Sequence, residues 1–172
     1  CGKTLDIGWL LSRGYRVAGA ELSAVAIEQL FAELGVTSKI TTVGSLDHYR
    51  APQLDIFVGD IFTVTPELLG PVDAIYDRAA LVALPRDMRA RYAEHLMTLT
   101  GQAPQLLISF EYDQRVMEGP PFSVTTEEIQ QHYGKRYDIS VLTSLDVPGG
   151  LKGRCPAEEA VYLLVKNRLG RI

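Results

Sequence analysis

Apolar residues along this chain switch repeatedly between the helical and the strand period, and that alternation limits the fold more than any other feature. It predicts an α/β layer fold with a mainly parallel sheet. A helix is expected over 4–12, stopped by Gly14, followed by a short apolar strand over 15–22 (YRVAGAEL). Ser23 stands where an N-cap belongs. Behind it Ile27, Leu30, Phe31 and Leu34 repeat at i, i+3, i+4 and i+7, and Gly35 supplies the stop. Residues 54–58 and 72–76 read as two buried strands. Pro85 opens a long helix through Leu99 with Met88, Tyr92, Leu96 and Leu99 on its inner face. The next strand is 105–112, and Thr125 with Glu128 forms a capping-box pattern for a short helix ending near Gly134. The last strands, 137–145 and 160–166, are joined by a Pro/Gly-rich loop and predict an antiparallel hairpin at a sheet edge.

A chain of 172 residues suits one domain with one core, expected over 1–172. A net charge of −4 and the absence of any basic run give no electrostatic reason to expect nucleic acid or an anionic membrane as partner. No apolar stretch approaches the roughly 20 residues of a membrane-spanning helix. Cys1 and Cys155 lie far apart and form no metal-type pair, which suits a reducing, cytoplasmic setting. His48, His95 and His132 have no metal spacing and read as surface residues. The chain enters a helix directly from Cys-Gly-Lys, whereas in a doubly wound sheet a glycine turn follows the first, central strand. A preceding strand and further N-terminal elements are therefore expected in the natural protein.

Chemistry-bearing residues recur at the C-terminal ends of the expected parallel strands, where a nucleotide-type ligand binds in such sheets. Gly2 lies in the turn into the first helix, where a missing side chain permits close approach. Glu21 ends the next strand, and a carboxylate there can accept both hydroxyls of a ribose. Asp60 follows the third strand and can take an adenine amino group, with Ile61 flanking the ring. Asp77-Arg78 ends the fourth. Each has a plainer reading: Gly2 as only a turn, Glu21 as a solvated strand end, Asp60 as a cap, Asp77 and Arg78 as a surface ion pair of little weight. No G-x-G-x-x-G is present, which argues against a pyrophosphate-bearing dinucleotide and for a cofactor without phosphates, such as S-adenosylmethionine.

Several strings, in order, resemble one family across nearly the whole chain: Cys1-Gly2-Lys3-Thr4-Leu5-Asp6, Trp9-Leu10, Gly19-Ala20-Glu21-Leu22-Ser23, Gly59-Asp60-Ile61-Phe62, Asp77-Arg78-Ala79-Ala80-Leu81-Val82-Ala83 and Gly119-Pro120-Pro121-Phe122. They look like the thiopurine S-methyltransferases, whose bacterial relatives are linked to selenium and tellurium detoxification. The resemblance implies a three-layer, Rossmann-like, seven-stranded, mainly parallel sheet with a C-terminal antiparallel hairpin. It implies that Glu21 holds the ribose and that Asp60 and Ile61 contact the adenine; Gly2 stays a cofactor candidate on the residue reading above. Arg78 stands beside cofactor and acceptor, and Pro120, Pro121 and Phe122 line the acceptor pocket. Arg154 is the candidate for a second arginine facing the acceptor. A monomer with a small-molecule acceptor, S-adenosylmethionine as cofactor and no metal is implied.

The expected reaction is methyl transfer to a small sulfur, selenium or tellurium nucleophile, with Arg78 and Arg154 favouring the anionic acceptor. Such a nucleophile needs no Ser-His-Asp or Cys-His arrangement. A halide or thiol methyltransferase with a similar Gly-Pro-Pro-aromatic loop is the second enzyme reading, and a non-catalytic nucleotide-binding module is the third. An NAD-dependent dehydrogenase ranks behind them for want of the glycine fingerprint.

Overall fold

Thr4 starts the first helix: its backbone is extended and its hydroxyl accepts the Asp6 N–H at 3.3 Å. This computed structural model describes residues 1–167, so the single domain expected over 1–172 runs past it, and 168–172 lie outside the described residues. The chain divides into two units, Cys1–Gly70 and Pro71–Ile172.

In the first unit α1 (Leu5–Ser12) leads to β1 (Val17–Glu21), and Ser23 caps α2 (Ala24–Glu33) by accepting the Ala26 N–H. β2 (Lys39–Val43), β3 (Leu46–Ala51) and β4 (Leu54–Val58) follow. A short 3-10 turn over Ile61–Thr63 and α3 (Pro66–Leu69), capped by Thr65, close the unit. The sheet order is β1-β4-β3-β2; β1 and β4 are parallel and the other pairs antiparallel. Ile7, Ile27, Leu30, Phe31, Tyr49, Leu54, Ile56 and Val58 form the core between sheet and helices. Each such large side chain contributes about 1.5–3 kcal/mol on burial.

The second unit begins with β5 (Ile75–Arg78), a 3-10 turn over Leu81–Ala83 and α4 (Arg86–Leu99). β6 (Gln105–Glu111), α5 (Thr126–Tyr133), β7 (Tyr137–Asp146) and β8 (Glu158–Lys166) complete it. Thr125 caps α5 by accepting the Glu128 N–H, as its spacing predicts. The sheet order is β5-β6-β8-β7, with β5 and β6 parallel and β8 antiparallel to both its neighbours. The expected C-terminal hairpin is thus present.

The seven-stranded, mainly parallel sheet is not. The described residues form two four-stranded mixed sheets, in which only β1–β4 and β5–β6 run parallel. The hairpin β2–β3 went unread because β2 is largely exposed and shows no period-2 apolar signal. Its turn is marked only by Gly44, which sits at φ 62°. β5 starts and ends later than 72–76 because it pairs with β6 from Ile75↔Gln105 to Arg78↔Ile108. β1 and β5 each end their sheet, so one edge of each pairs with no described strand.

Candidate functional site

In the first unit the cofactor candidates gather at one strand end. Parallel pairing sets Glu21 opposite Val58, and the Gly59 N–H donates to the Glu21 carbonyl at 2.8 Å. The chain therefore leaves β4 beside Glu21 and runs directly into Asp60 and Ile61. The Glu21 carboxylate collects backbone donors: Gly2 N–H on Oε2 at 2.6 Å, and Leu22 and Ser23 N–H on Oε1 at 2.9 and 3.1 Å. The Cys1 backbone nitrogen lies 3.0 Å from Oε2. Gly2 reaches this position with φ 61°, a left-handed conformation that suits glycine. Partial burial pushes the Glu21 carboxyl up, and the Ser23 and Gly2 amides that donate to it act in the opposite direction. Asp60 does act as a cap, accepting the Phe62 N–H on Oδ1 at 3.0 Å, while its other oxygen has no partner among the described residues.

This donor set fits S-adenosylmethionine. Oδ2 of Asp60 is open to an amino group beside the apolar Ile61.

In the second unit Asp77 and Arg78 end β5. Asp77 is not a surface group, as its reading as half of a surface ion pair required: it is 2% exposed. Leu81 N–H donates to its Oδ1 at 3.2 Å and the Tyr92 hydroxyl to its Oδ2 at 3.0 Å. Burial raises the Asp77 carboxyl above its ordinary range, and those donors offset part of the rise. The anchored carboxylate clamps a turn in which Ala79 takes φ 62°, a costly conformation for a residue with a Cβ, and leaves Arg78 exposed at the strand end.

The loop 119–122 lies against the same segment. Phe122 N–H donates to the Val82 carbonyl at 2.6 Å, and the Tyr112 hydroxyl donates to the Pro121 carbonyl at 2.7 Å. Gly119 has φ 89°, and a Cβ there would come within 2.6 Å of the Phe122 ring. Pro120 and Arg154 line one cavity of about 290 Å³ together with Val116, Met117, Glu118 and Lys152. Lys152 donates to the Pro120 carbonyl at 2.6 Å, and the Arg154 guanidinium has no partner among the described residues. Arg78, Pro121 and Phe122 do not line that cavity.

Sequence reasoning missed Lys152, Tyr112 and Arg89. The run Gly149-Gly150-Leu151-Lys152-Gly153-Arg154 offered a second cation beside Arg154 as a signal. Tyr112 had none. Arg89 lies three and four residues before Tyr92 and Ala93, on the buried face of α4, so its spacing was informative. Among the described residues no cluster of His, Cys, Asp and Glu could hold a metal, and no helix is long and apolar enough to cross a membrane.

A family model described as thiopurine S-methyltransferase matches residues 1–166. The chain is 62% identical over 164 residues to a thiopurine S-methyltransferase of Xanthobacter autotrophicus, covering 95% of this chain and 77% of that one. It is 49% identical to that of Gluconobacter oxydans, covering 94% and 74%. Among solved structures, a TehB-like SAM-dependent methyltransferase from Corynebacterium glutamicum matches with a TM-score of 0.62 at 14% identity, over 97% of this chain and 77% of that one. A Burkholderia thailandensis 1,6-didemethyltoxoflavin-N1-methyltransferase, solved with bound 1,6-didemethyltoxoflavin and S-adenosylhomocysteine, matches with a TM-score of 0.57 at 17% identity, over 95% of this chain and 68% of that one. These likenesses show an α/β methyltransferase fold.

Proposed function

This chain belongs to the thiopurine S-methyltransferase family, whose members are S-adenosylmethionine-dependent methyltransferases, and from that premise we propose that it methylates a small sulfur or selenium nucleophile. The observation that carries the reading is the main-chain bond from Phe122 to Val82, which seats the apolar acceptor loop on the segment that begins with Arg78. Bound cofactor supplies a methyl group already activated on a sulfonium.

The protein's share is binding and alignment. Glu21 holds the ribose, Asp60 and Ile61 hold the adenine, and Gly2 leaves backbone room beside them. Arg78 stabilises the anionic form of a thiol or selenol acceptor, and Arg154 presents a second guanidinium in the neighbouring cavity. Pro120, Pro121 and Phe122 offer an apolar wall to a flat, polarisable acceptor and keep water from it. The acceptor's own ionisation supplies the nucleophile, so no side chain has to serve as a general base.

The test is calorimetric titration of the full-length protein with S-adenosylhomocysteine and, separately, with NAD, followed by methylation assays on mercaptopurine and iodide. Micromolar S-adenosylhomocysteine binding, no response to NAD and turnover of the thiol support the reading. Turnover of iodide alone would move the chain to the halide methyltransferases, and binding without turnover would make it a non-catalytic module.

A further inference from the structure

Arg89 is charged, yet only 3% of it is exposed. A guanidinium is costly to bury unless every donor finds an acceptor, so what surrounds it is informative. Its Nε donates to the Leu84 carbonyl at 2.9 Å. One terminal nitrogen donates to Glu128 Oε1 at 2.8 Å and to the Ser123 carbonyl at 3.3 Å. The guanidinium carbon lies 5.4 Å from the centre of the Phe122 ring.

Those partners are not scattered. Leu84 directly follows the segment Asp77–Ala83, and Ser123 directly follows Phe122 of the loop 119–122. Arg89 therefore bridges the C-terminal ends of the same two segments that the Phe122–Val82 bond already joins. The Phe122–Val82 bond ties the loop's main chain to the segment Asp77–Ala83, and Arg89 adds a bond to the Ser123 carbonyl and a contact with the Phe122 ring. The rigid fork of an arginine reaches the Leu84 carbonyl from one nitrogen and Ser123 and Glu128 from another, whereas a lysine ammonium offers all its donors from a single nitrogen on a flexible stem.

We propose that Arg89 is a positioning residue for the acceptor: seated on Glu128, it sets the loop 119–122 against the Arg78 turn and so determines how well an acceptor is held. This rests on the reading that the loop lines the acceptor site. Arg89 touches neither acceptor nor cofactor, and it acts through Phe122 and Ser123.

The test uses the full-length protein with three variants. Arg89→Lys keeps a cation opposite Glu128 but loses the fork. Arg89→Met with Glu128→Met removes the buried pair without leaving a lone charge. Tyr112→Phe loosens the loop from its other side by removing the hydroxyl bound to Pro121. In each, KM for mercaptopurine should rise about tenfold, while the Kd for S-adenosylhomocysteine stays within about twofold and the far-ultraviolet spectrum is unchanged. Hydrogen exchange at the Phe122 and Ser123 amides should quicken about tenfold, with the amides of β6 unaffected. Unchanged KM and exchange in folded Arg89 variants would overturn the proposal, and so would parallel loss of acceptor and cofactor affinity. If the unaltered protein binds S-adenosylhomocysteine but methylates no thiol, the methyltransferase reading falls by itself. The exchange contrast still decides whether Arg89 holds the loop.

Discussion

The Phe122 amide reaches the Val82 carbonyl at 2.6 Å, a main-chain bond between residues forty positions apart in sequence. It couples the two most distinctive strings of the chain, the one that begins at Asp77 and the one that ends at Phe122. A main-chain bond of this kind survives substitution of either side chain, but not displacement of the loop.

Gly119→Ala tests that displacement. At φ 89°, with a new Cβ facing the Phe122 ring at 2.6 Å, the loop has to shift. The expected cost is about 1–3 kcal/mol of stability from the left-handed conformation alone. KM for the acceptor should rise while cofactor affinity holds. Thermal unfolding and steady-state kinetics on the same preparation check both.

Glu21→Gln removes the charge from the strand end where Gly2, Leu22 and Ser23 converge. One of the two oxygens becomes a donor facing amide donors, so S-adenosylhomocysteine affinity should fall about tenfold or more, by calorimetry. Full affinity in the variant would take Glu21 out of the cofactor site.

Arg78→Ala should lower kcat/KM for the acceptor by about tenfold or more. The loss should be greatest for acceptors that bind as anions. Equal kinetics for the variant and the unaltered protein would remove Arg78 from the mechanism.

Asp77→Asn addresses pH. Burial raises the Asp77 carboxyl in the folded state, so the folded protein keeps this proton to higher pH than the unfolded chain, whose value is near 3.8. Folded protein thus binds more protons in that window, and the contribution of Asp77 to stability falls as pH rises from about 4 through the folded value, then levels off. Urea unfolding at a series of pH values should show the unaltered protein losing stability relative to Asp77→Asn across that window. A difference that is flat, or that grows with pH, contradicts the assignment.

The local structure of this chain was largely legible. Thr4, Ser23 and Thr125 announce helix starts because capping needs only a hydroxyl and the amides two or three residues on. Residues 54–58 read as a strand because buried β-branched and aromatic residues run together there. Gly2, Glu21 and Asp60 could be placed at strand ends, and the structure brings Gly2 and Glu21 into contact at 2.6 Å.

Within the site, local pattern could not separate the arginines of α4. Arg86, Arg89 and Arg91 stand in one charged stretch, and nothing local distinguishes them except that Arg89 shares a face with Tyr92 and Ala93. Its burial depends on Glu128, which lies 39 residues away. Likewise Asp77 reads as half of a surface pair until Tyr92 and Leu81 are seen to enclose it.

By itself, then, the sequence determined the alternation of helices and strands, the caps that start the helices, and the residue types available at each strand end, because these depend on neighbours within a turn or two. Apart from the C-terminal hairpin, tertiary structure decided which strands pair and in which direction, giving two mixed sheets in place of one mainly parallel sheet. It also decided which charges go inside. The physical reason is the same for both: strand pairing and the burial of a charge are stabilised by partners distant along the chain, and no local pattern encodes where those partners will be.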